Sequence, residues 1–211
     1  METKVVVIDY DVGNLLSVVR ALQYLNVDVV VTSEKKIIDT ASYLILPGVG
    51  AFGKAMDELK NNNVLDSIYK YIETDKPFMG ICLGMQLMLE RSCEFGNFNG
   101  LGIVKGDVIP IPKSNDESHK IPHIGWNKLL HSNNQGWEGT ILDDLGEEPS
   151  VYFIHSYMAD PADKNQLLST CDYNGYSIPA VISDGHRYGC QFHPEKSGKT
   201  GLKILDNFIN L

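Results

Sequence analysis

The sequence predicts an α/β fold: a central, mostly parallel sheet flanked by helices and extended by antiparallel strands. Three observations carry this. Strand-like and helix-like stretches alternate four times in the first half, which is the pattern of parallel strands joined by helices. The second half changes to short strand-like runs between turn-rich segments, the pattern of antiparallel pairing. The chain then closes on an amphipathic helical repeat. With 211 residues and no break in composition, it reads as a single domain over 1–211. A chain of this length buries roughly 70% of its unfolded surface, enough for a core without disulfide or metal staples.

The elements follow in order. Lys4–Asp9 is a short β-branched run and reads as a buried strand. Leu15, Val18, Val19, Leu22 and Leu25 repeat at helical spacing behind Asn14, a residue suited to an N-cap. Val27–Val31 and Tyr43–Leu46 are the next strands, the latter stopped by Pro47-Gly48. Gly53 to about Tyr71 reads as one or two helices, Pro77–Ile81 as a strand and Leu83–Leu89 as a helix. Beyond these, Ile103–Ile111, Ile121–Leu130, Val151–Tyr157, Gln166–Tyr173, Ser177–Ser183 and Tyr188–Phe192 are strand-like. Lys113–His119 and Asn133–Gly139 read as surface loops. Leu202, Leu205, Phe208 and Ile209 mark the closing helix.

Composition narrows the function. Asp and Glu outnumber Lys and Arg 27 to 18, for a net charge of −9, and the basic residues do not cluster. That excludes a broad nucleic-acid or anionic-membrane footprint. The four cysteines (Cys82, Cys93, Cys171 and Cys190) form no CxxC pair and no metal-ligand spacing, as expected for a reduced protein of the cytoplasm. Met1-Glu2-Thr3-Lys4 lacks the basic segment of a signal peptide, and Val5–Ile8 is too short to span a membrane. No metal and no cofactor is expected.

The sharpest signal is Phe78-Met79-Gly80-Ile81-Cys82-Leu83-Gly84-Met85-Gln86. A strand meets a helix with Cys at the junction and Gly two residues to either side, a nucleophile elbow carrying sulfur. The glycines are expected to let the chain turn sharply and to keep backbone from crowding the nucleophile. The helix N-terminus favours thiolate over thiol. A nucleophilic Cys needs a base, and the base needs an orienting group. His193 and Glu195 of Gln191-Phe192-His193-Pro194-Glu195-Lys196-Ser197 fit these roles, at the carboxyl end of a strand where α/β sheets place their sites. Pro194 stiffens that turn. Leu46-Pro47-Gly48-Val49-Gly50-Ala51-Phe52-Gly53 supplies the third part. Its glycines admit a ligand to the backbone, so the N–H groups of Leu83 and of the Val49–Gly50 segment are expected to hold an oxyanion. GxGxxG is absent, which excludes a dinucleotide fingerprint.

Taken together, Gly13-Asn14, Leu46–Gly53, Gly80–Gln86, Pro122–Asn127, His155–Tyr157 and Phe192–Ser197 resemble the class I (triad) glutamine amidotransferases, in that family's order and across nearly the whole chain. The Val49 version of the oxyanion loop, with the His-Ile-Gly-Trp-Asn and His-Ser-Tyr segments, is similar to one subfamily, the glutaminase subunits of imidazole glycerol phosphate synthases. The resemblance implies a flavodoxin-like fold and a Cys82–His193–Glu195 triad that releases ammonia from L-glutamine. It implies that Gly48 and Gly50 form the oxyanion loop and that Gln86, His155, Ser156 and Lys196 shape the glutamine pocket. It places Asn14, Trp126 and Tyr152 near the interface with a partner. That partner is a (β/α)8-barrel cyclase, joined in a heterodimer, which channels the ammonia to a phosphoribosyl-formimino carboxamide ribonucleotide in histidine biosynthesis.

One departure is Asp11, where the family usually has Gly. It keeps open a paralogous acceptor, an amidino-modified surface sugar, with the same glutaminase chemistry. The remaining candidates read as structural. Cys93, Cys171 and Cys190 have no base nearby in sequence, and His119, His131 and His186 lie in polar loops, where they are expected to be solvated. Trp137 reads as a surface or packing residue. Asp143-Asp144 and Glu147-Glu148 read as a solvated acidic loop.

Overall fold

The computed structural model describes residues 4–114, 119–132 and 136–211. The start of the chain and parts of the two expected surface loops lie outside these residues. The first half is built of β1 (Lys4–Ile8), α1 (Leu15–Tyr24), β2 (Asp28–Thr32), α2 (Lys35–Asp39), β3 (Tyr43–Gly48), α3 (Phe52–Asn61), α4 (Leu65–Ile72), β4 (Phe78–Cys82) and α5 (Leu83–Leu87). Then come β5 (Arg91–Ser92), β6 (Phe98–Asn99), β7 (Gly106–Pro110), β8 (His123–Lys128), β9 (Leu130–His131), β10 (Ser150–His155) and β11 (Tyr157–Pro161). The chain ends with β12 (Leu167–Tyr173), β13 (Tyr176–Asp184), β14 (Arg187–Cys190) and α6 (Gly198–Ile209).

The main sheet runs β2-β1-β3-β4-β14-β13-β12-β9. Its first five strands are mutually parallel; its last three run antiparallel to their neighbours. Alternation of side chains along each strand divides the core between two faces. On one, Val5, Val7, Ile45, Met79 and Ile81 meet α1 and α6 through Val18, Leu22, Ile204, Leu205 and Phe208. On the other, Val6, Ile8, Leu44, Leu46 and Phe78 meet α3 and α4 through Phe52, Met56, Leu59, Ile68 and Tyr71. Burial on both faces is why these strands read as unbroken apolar runs. Two smaller sheets, β10-β8 and β11-β7-β5-β6, stand beside the main one. No helix of the described residues is long and apolar enough to cross a membrane.

The helical stretch after Gly53, read as one or two helices, is two. Several other expectations are corrected. Ile121–Leu130 divides into β8 and β9, and Val151–Tyr157 breaks at Ser156, where the chain leaves β8 and begins to pair with β7. The elements α2, β5 and β6 are too short to show a period. Asn14 stands at the N-cap of α1 but makes no side-chain cap bond; its Nδ2 donates to Ser17 Oγ at 2.9 Å instead. His119 is buried between Tyr173 and Tyr176 and donates from Nε2 to the Pro112 carbonyl at 2.8 Å. Trp137 is buried too, with Nε1 donating to the Leu168 carbonyl. Asp11 takes a positive φ of 65°, a backbone that glycine adopts freely and Asp tolerates better than most residues. A glycine at this position would adopt that backbone without strain.

Candidate active site

The parallel register sets the site. Gly48 pairs with Cys82 across β3 and β4, and β14 lies on the other side of β4. The carboxyl ends of three adjacent strands therefore deliver the Val49–Gly50 loop, Cys82 and the His193 turn to one crevice. Together with the β10–β11 junction they enclose a cavity of about 340 Å³, lined by Val49, Gly50, Cys82, Leu83, Gln86, Glu94, Pro122, Ile154, His155, Ser156, Tyr157, His193 and Lys196.

Cys82 itself carries the elbow. Its φ is 54° and its ψ is −107°, a strained conformation that costs on the order of 1–3 kcal/mol. Gly80 and Gly84 are not among the positive-φ residues, so the sharp turn is not theirs. They are needed for space instead. A Cβ on Gly84 would lie 1.8 Å from the Leu46 carbonyl oxygen, and one on Gly80 would lie 2.5 Å from the Gly84 carbonyl oxygen. The helix is pressed against β3 and β4, and only glycine permits it. Gly48, expected in the oxyanion loop, is buried. A Cβ there would meet the Tyr10 hydroxyl at 2.6 Å, so this glycine makes room for packing beneath the loop. Gly50 is exposed, with φ of 94° and nothing near its missing Cβ.

His193 follows β14, and the Pro194–Lys196 turn swings Glu195 back onto it. Nδ1 of His193 lies 2.7 Å from Glu195 Oε1, and both side chains are buried. Burial disfavours the imidazolium, but hydrogen bonds to Cys82 and Glu195 outweigh it, and the His193 pKa is raised to about 9. The ring is thus held ready to keep a proton taken from sulfur.

His155 does not present its ring to the cavity as a binding group. Its Nδ1 donates to the Tyr157 carbonyl at 2.8 Å. That leaves Nε2 as an acceptor, 3.0 Å from Nδ1 of the buried His123. Each partner dictates the tautomer of the next. Burial pushes both pKa values down, His123 to about 4 and His155 to about 3. The folded protein keeps both rings neutral to about pH 4, whereas an unfolded imidazole takes up its proton near pH 6.5. The unfolded state therefore binds more protons below pH 6.5, and stability falls between pH 6.5 and about 4. Urea titrations at pH 6.5 and 4.5 are expected to show that His123→Gln loses less stability on acidification than the wild type, by on the order of 1 kcal/mol. Equal losses in the two proteins would refute the assignment.

Sequence reasoning missed Glu94, Pro122, Ile154 and Tyr157 as lining residues. Glu94 accepts the Phe52 N–H at 2.7 Å, which seats the start of α3 beside the cavity. With Lys196 on the same lining, it offers a cavity with one acidic and one basic group, matched to a zwitterion. No local pattern around Glu94 signals this. Among the described residues no cluster of His, Cys, Asp and Glu fits a metal ion.

Of the expected interface residues, Asn14 is half-buried at the start of α1. Trp126 and Tyr152 pair across β8 and β10, with their rings edge-on at 6.2 Å. Trp126 is 58% exposed and Ile124 55%, and both stand on the outer face of that ribbon. Tyr152 also ties the ribbon to the site. Its carbonyl accepts the His193 N–H at 3.0 Å, and its N–H donates to Ser197 Oγ at 3.0 Å. Ser197 Oγ in turn donates to the His193 carbonyl at 2.6 Å.

Residues 6–211 match the family described as Glutamine amidotransferase class-I. Imidazole glycerol phosphate synthase subunit HisH 1 of Legionella pneumophila (strain Lens) is 47% identical over 212 residues, covering 99% of this chain and 100% of its own. Imidazole glycerol phosphate synthase subunit HisH of Aquifex aeolicus (strain VF5) is 47% identical over 206 residues, covering 97% and 95%. Among solved structures, PurLQS from Thermotoga maritima shares the fold, with a TM-score of 0.73 at 22% identity over 100% of this chain and 99% of that one.

Proposed function

The chain belongs to the class-I glutamine amidotransferase family, and from that premise we propose that it is the glutaminase subunit of an imidazole glycerol phosphate synthase. The observation that carries the chemistry is the buried line Cys82–His193–Glu195 at the wall of a cavity of about 340 Å³. The Cys82 sulfur gives its proton to His193 and attacks the side-chain amide carbon of glutamine. Glu195 holds the imidazolium. N–H groups of Leu83 and the Val49–Gly50 loop take the oxyanion. His193 then passes the proton to the departing nitrogen, leaving ammonia and a glutamyl thioester, and a water activated by His193 releases glutamate. Glu94 and Lys196 receive the α-ammonium and α-carboxylate. Gln86 and the His155–Ser156 segment shape the pocket between them.

A subunit that spends glutamine without an acceptor wastes it. We place a (β/α)8-barrel cyclase against the exposed Ile124–Trp126 face, with Asn14 and Tyr152 near its rim, and the cytoplasm as the compartment. Binding of the loaded partner turns Val49–Gly50 into the donating orientation. The relatives' shared name favours the histidine-pathway acceptor over a surface sugar. The test is glutamine turnover with and without a substrate-loaded cyclase. A rise of about 10²–10³-fold is expected, the value of one oxyanion donor. Equal rates, or ammonia transfer to a sugar acceptor alone, would overturn the proposal.

A further inference from the structure

The buried amide of Gln191 lies between strand β14 and His193 and has no part in the triad. Gln191 is 0% exposed, and its backbone N–H is bound to the Ala180 carbonyl. Its side chain ends a relay whose direction is dictated from the far end. The Tyr157 carbonyl can only accept, so the atom of Gln86 that faces it at 2.9 Å must be the donor Nε2. The same Nε2 lies 3.0 Å from Gln191, which must therefore present Oε1. Gln191 Nε2 is thereby turned toward Cys82 Sγ, at 3.9 Å. The orientation of both amides follows from one backbone carbonyl.

We propose that Gln191 is a thiolate-holding residue, whose amide N–H stabilises and aims the ionised Cys82 sulfur. Two backbone and side-chain contacts of the sulfur act in opposite senses. The Ile154 carbonyl, at 3.9 Å, can accept only from the S–H of the neutral thiol. The Gln191 N–H is served best by the thiolate, because a hydrogen bond to an ionised acceptor is roughly twice as strong as a neutral one. When the proton passes to His193, the sulfur loses the first contact and strengthens the second. Because Gln86 and Tyr157 line the cavity, the relay also couples the glutamine pocket to the aim of the sulfur. The titratable groups facing Cys82 are His193, through its hydrogen bond, and Tyr10, whose phenol is tied to the Pro47 carbonyl. Glu195 stands behind His193, and His155, Glu94 and Lys196 lie along the cavity wall.

This inference rests on Cys82 being the nucleophile, and one experiment separates the two. The full chain is alkylated with iodoacetamide across a pH series, and modification at Cys82 and at the exposed Cys93 is quantified by peptide mass spectrometry. Wild-type Cys82 is expected to be alkylated despite its burial, and to be protected by added glutamine while Cys93 is not; if Cys82 is not, the nucleophile assignment itself fails. In Gln191→Met, of similar volume but with no amide, the Cys82 midpoint is expected to rise by about one pH unit, the worth of a hydrogen bond to a charge. The Cys93 curve should stay in place. Gln191→Asn keeps the polarity but shortens the reach, and is expected to shift the midpoint in the same direction. It carries the test if Gln191→Met does not fold. A purely packing role moves stability but not the midpoint. Wild-type midpoints in the folded variants would overturn the proposal.

Discussion

Cys82→Ala is expected to lower glutamine turnover by at least about four orders of magnitude while leaving the fold intact. The loss is complete because no other group at the cavity wall can form the thioester. His193 and Glu195 without a nucleophile can only assist water. The fold survives because the strain at φ 54° is borne by the backbone, and Ala carries the same Cβ as Cys. The contacts removed are two weak sulfur hydrogen bonds of 3.9 Å and the hydrogen bond to His193. The measurement is glutamate release by the purified complex, paired with a urea titration. A variant retaining more than about 1% of turnover would show that the acyl step does not pass through this sulfur.

Gly84→Ala sets two rules against each other. Helix propensity alone makes Ala better than Gly by about 1 kcal/mol in a helix interior. The structure reverses the sign. A Cβ at Gly84 would stand 1.8 Å from the Leu46 carbonyl oxygen. That oxygen belongs to β3, a strand paired on both sides within the parallel sheet, so it cannot withdraw. The helix must move instead. Overpacking of this kind costs about 3 kcal/mol or more. It also shifts Leu83, and with it an N–H assigned to the oxyanion. Gly84→Ala is therefore expected to lower the stability read from a urea titration by that amount and, in whatever folds, to lower turnover too. A midpoint at or above the wild type would mean that propensity wins and that the helix is not clamped to β3.

Much of this architecture was legible because it is local. The β-branched run at Lys4–Asp9, the apolar run at Tyr43–Leu46, the Cys between two glycines and the His-Pro-Glu turn each announce themselves within a few residues. The family resemblance added their order. What stayed hidden depends on distant partners. The elbow was visible, but the reason for its glycines was not, because the Gly84–Leu46 approach exists only once the sheet has formed. Glu94 sits in a stretch with no period and reaches the site by capping a helix about forty residues away in sequence. His119 looked solvated because its neighbours in sequence are polar; its neighbours in space are Tyr173 and Tyr176. Gln191 adjoins a recognised motif, yet its role emerges only from the chain of donors and acceptors that ends at Cys82.

The parallel register that joins β3, β4 and β14 also governs when the site can exist. Cys82 and Gln191 are 109 positions apart, and the strand bearing the base is inserted beside β4 only after most of the chain is available. Contacts of such long sequence separation form late, because their loop closure is costly until the rest of the sheet rewards it. During synthesis the sulfur therefore emerges well before its base, its holding amide and its buried carboxylate. A nascent or half-folded chain carries an ordinary thiol, and nitrogen is released from glutamine only by molecules that have finished folding.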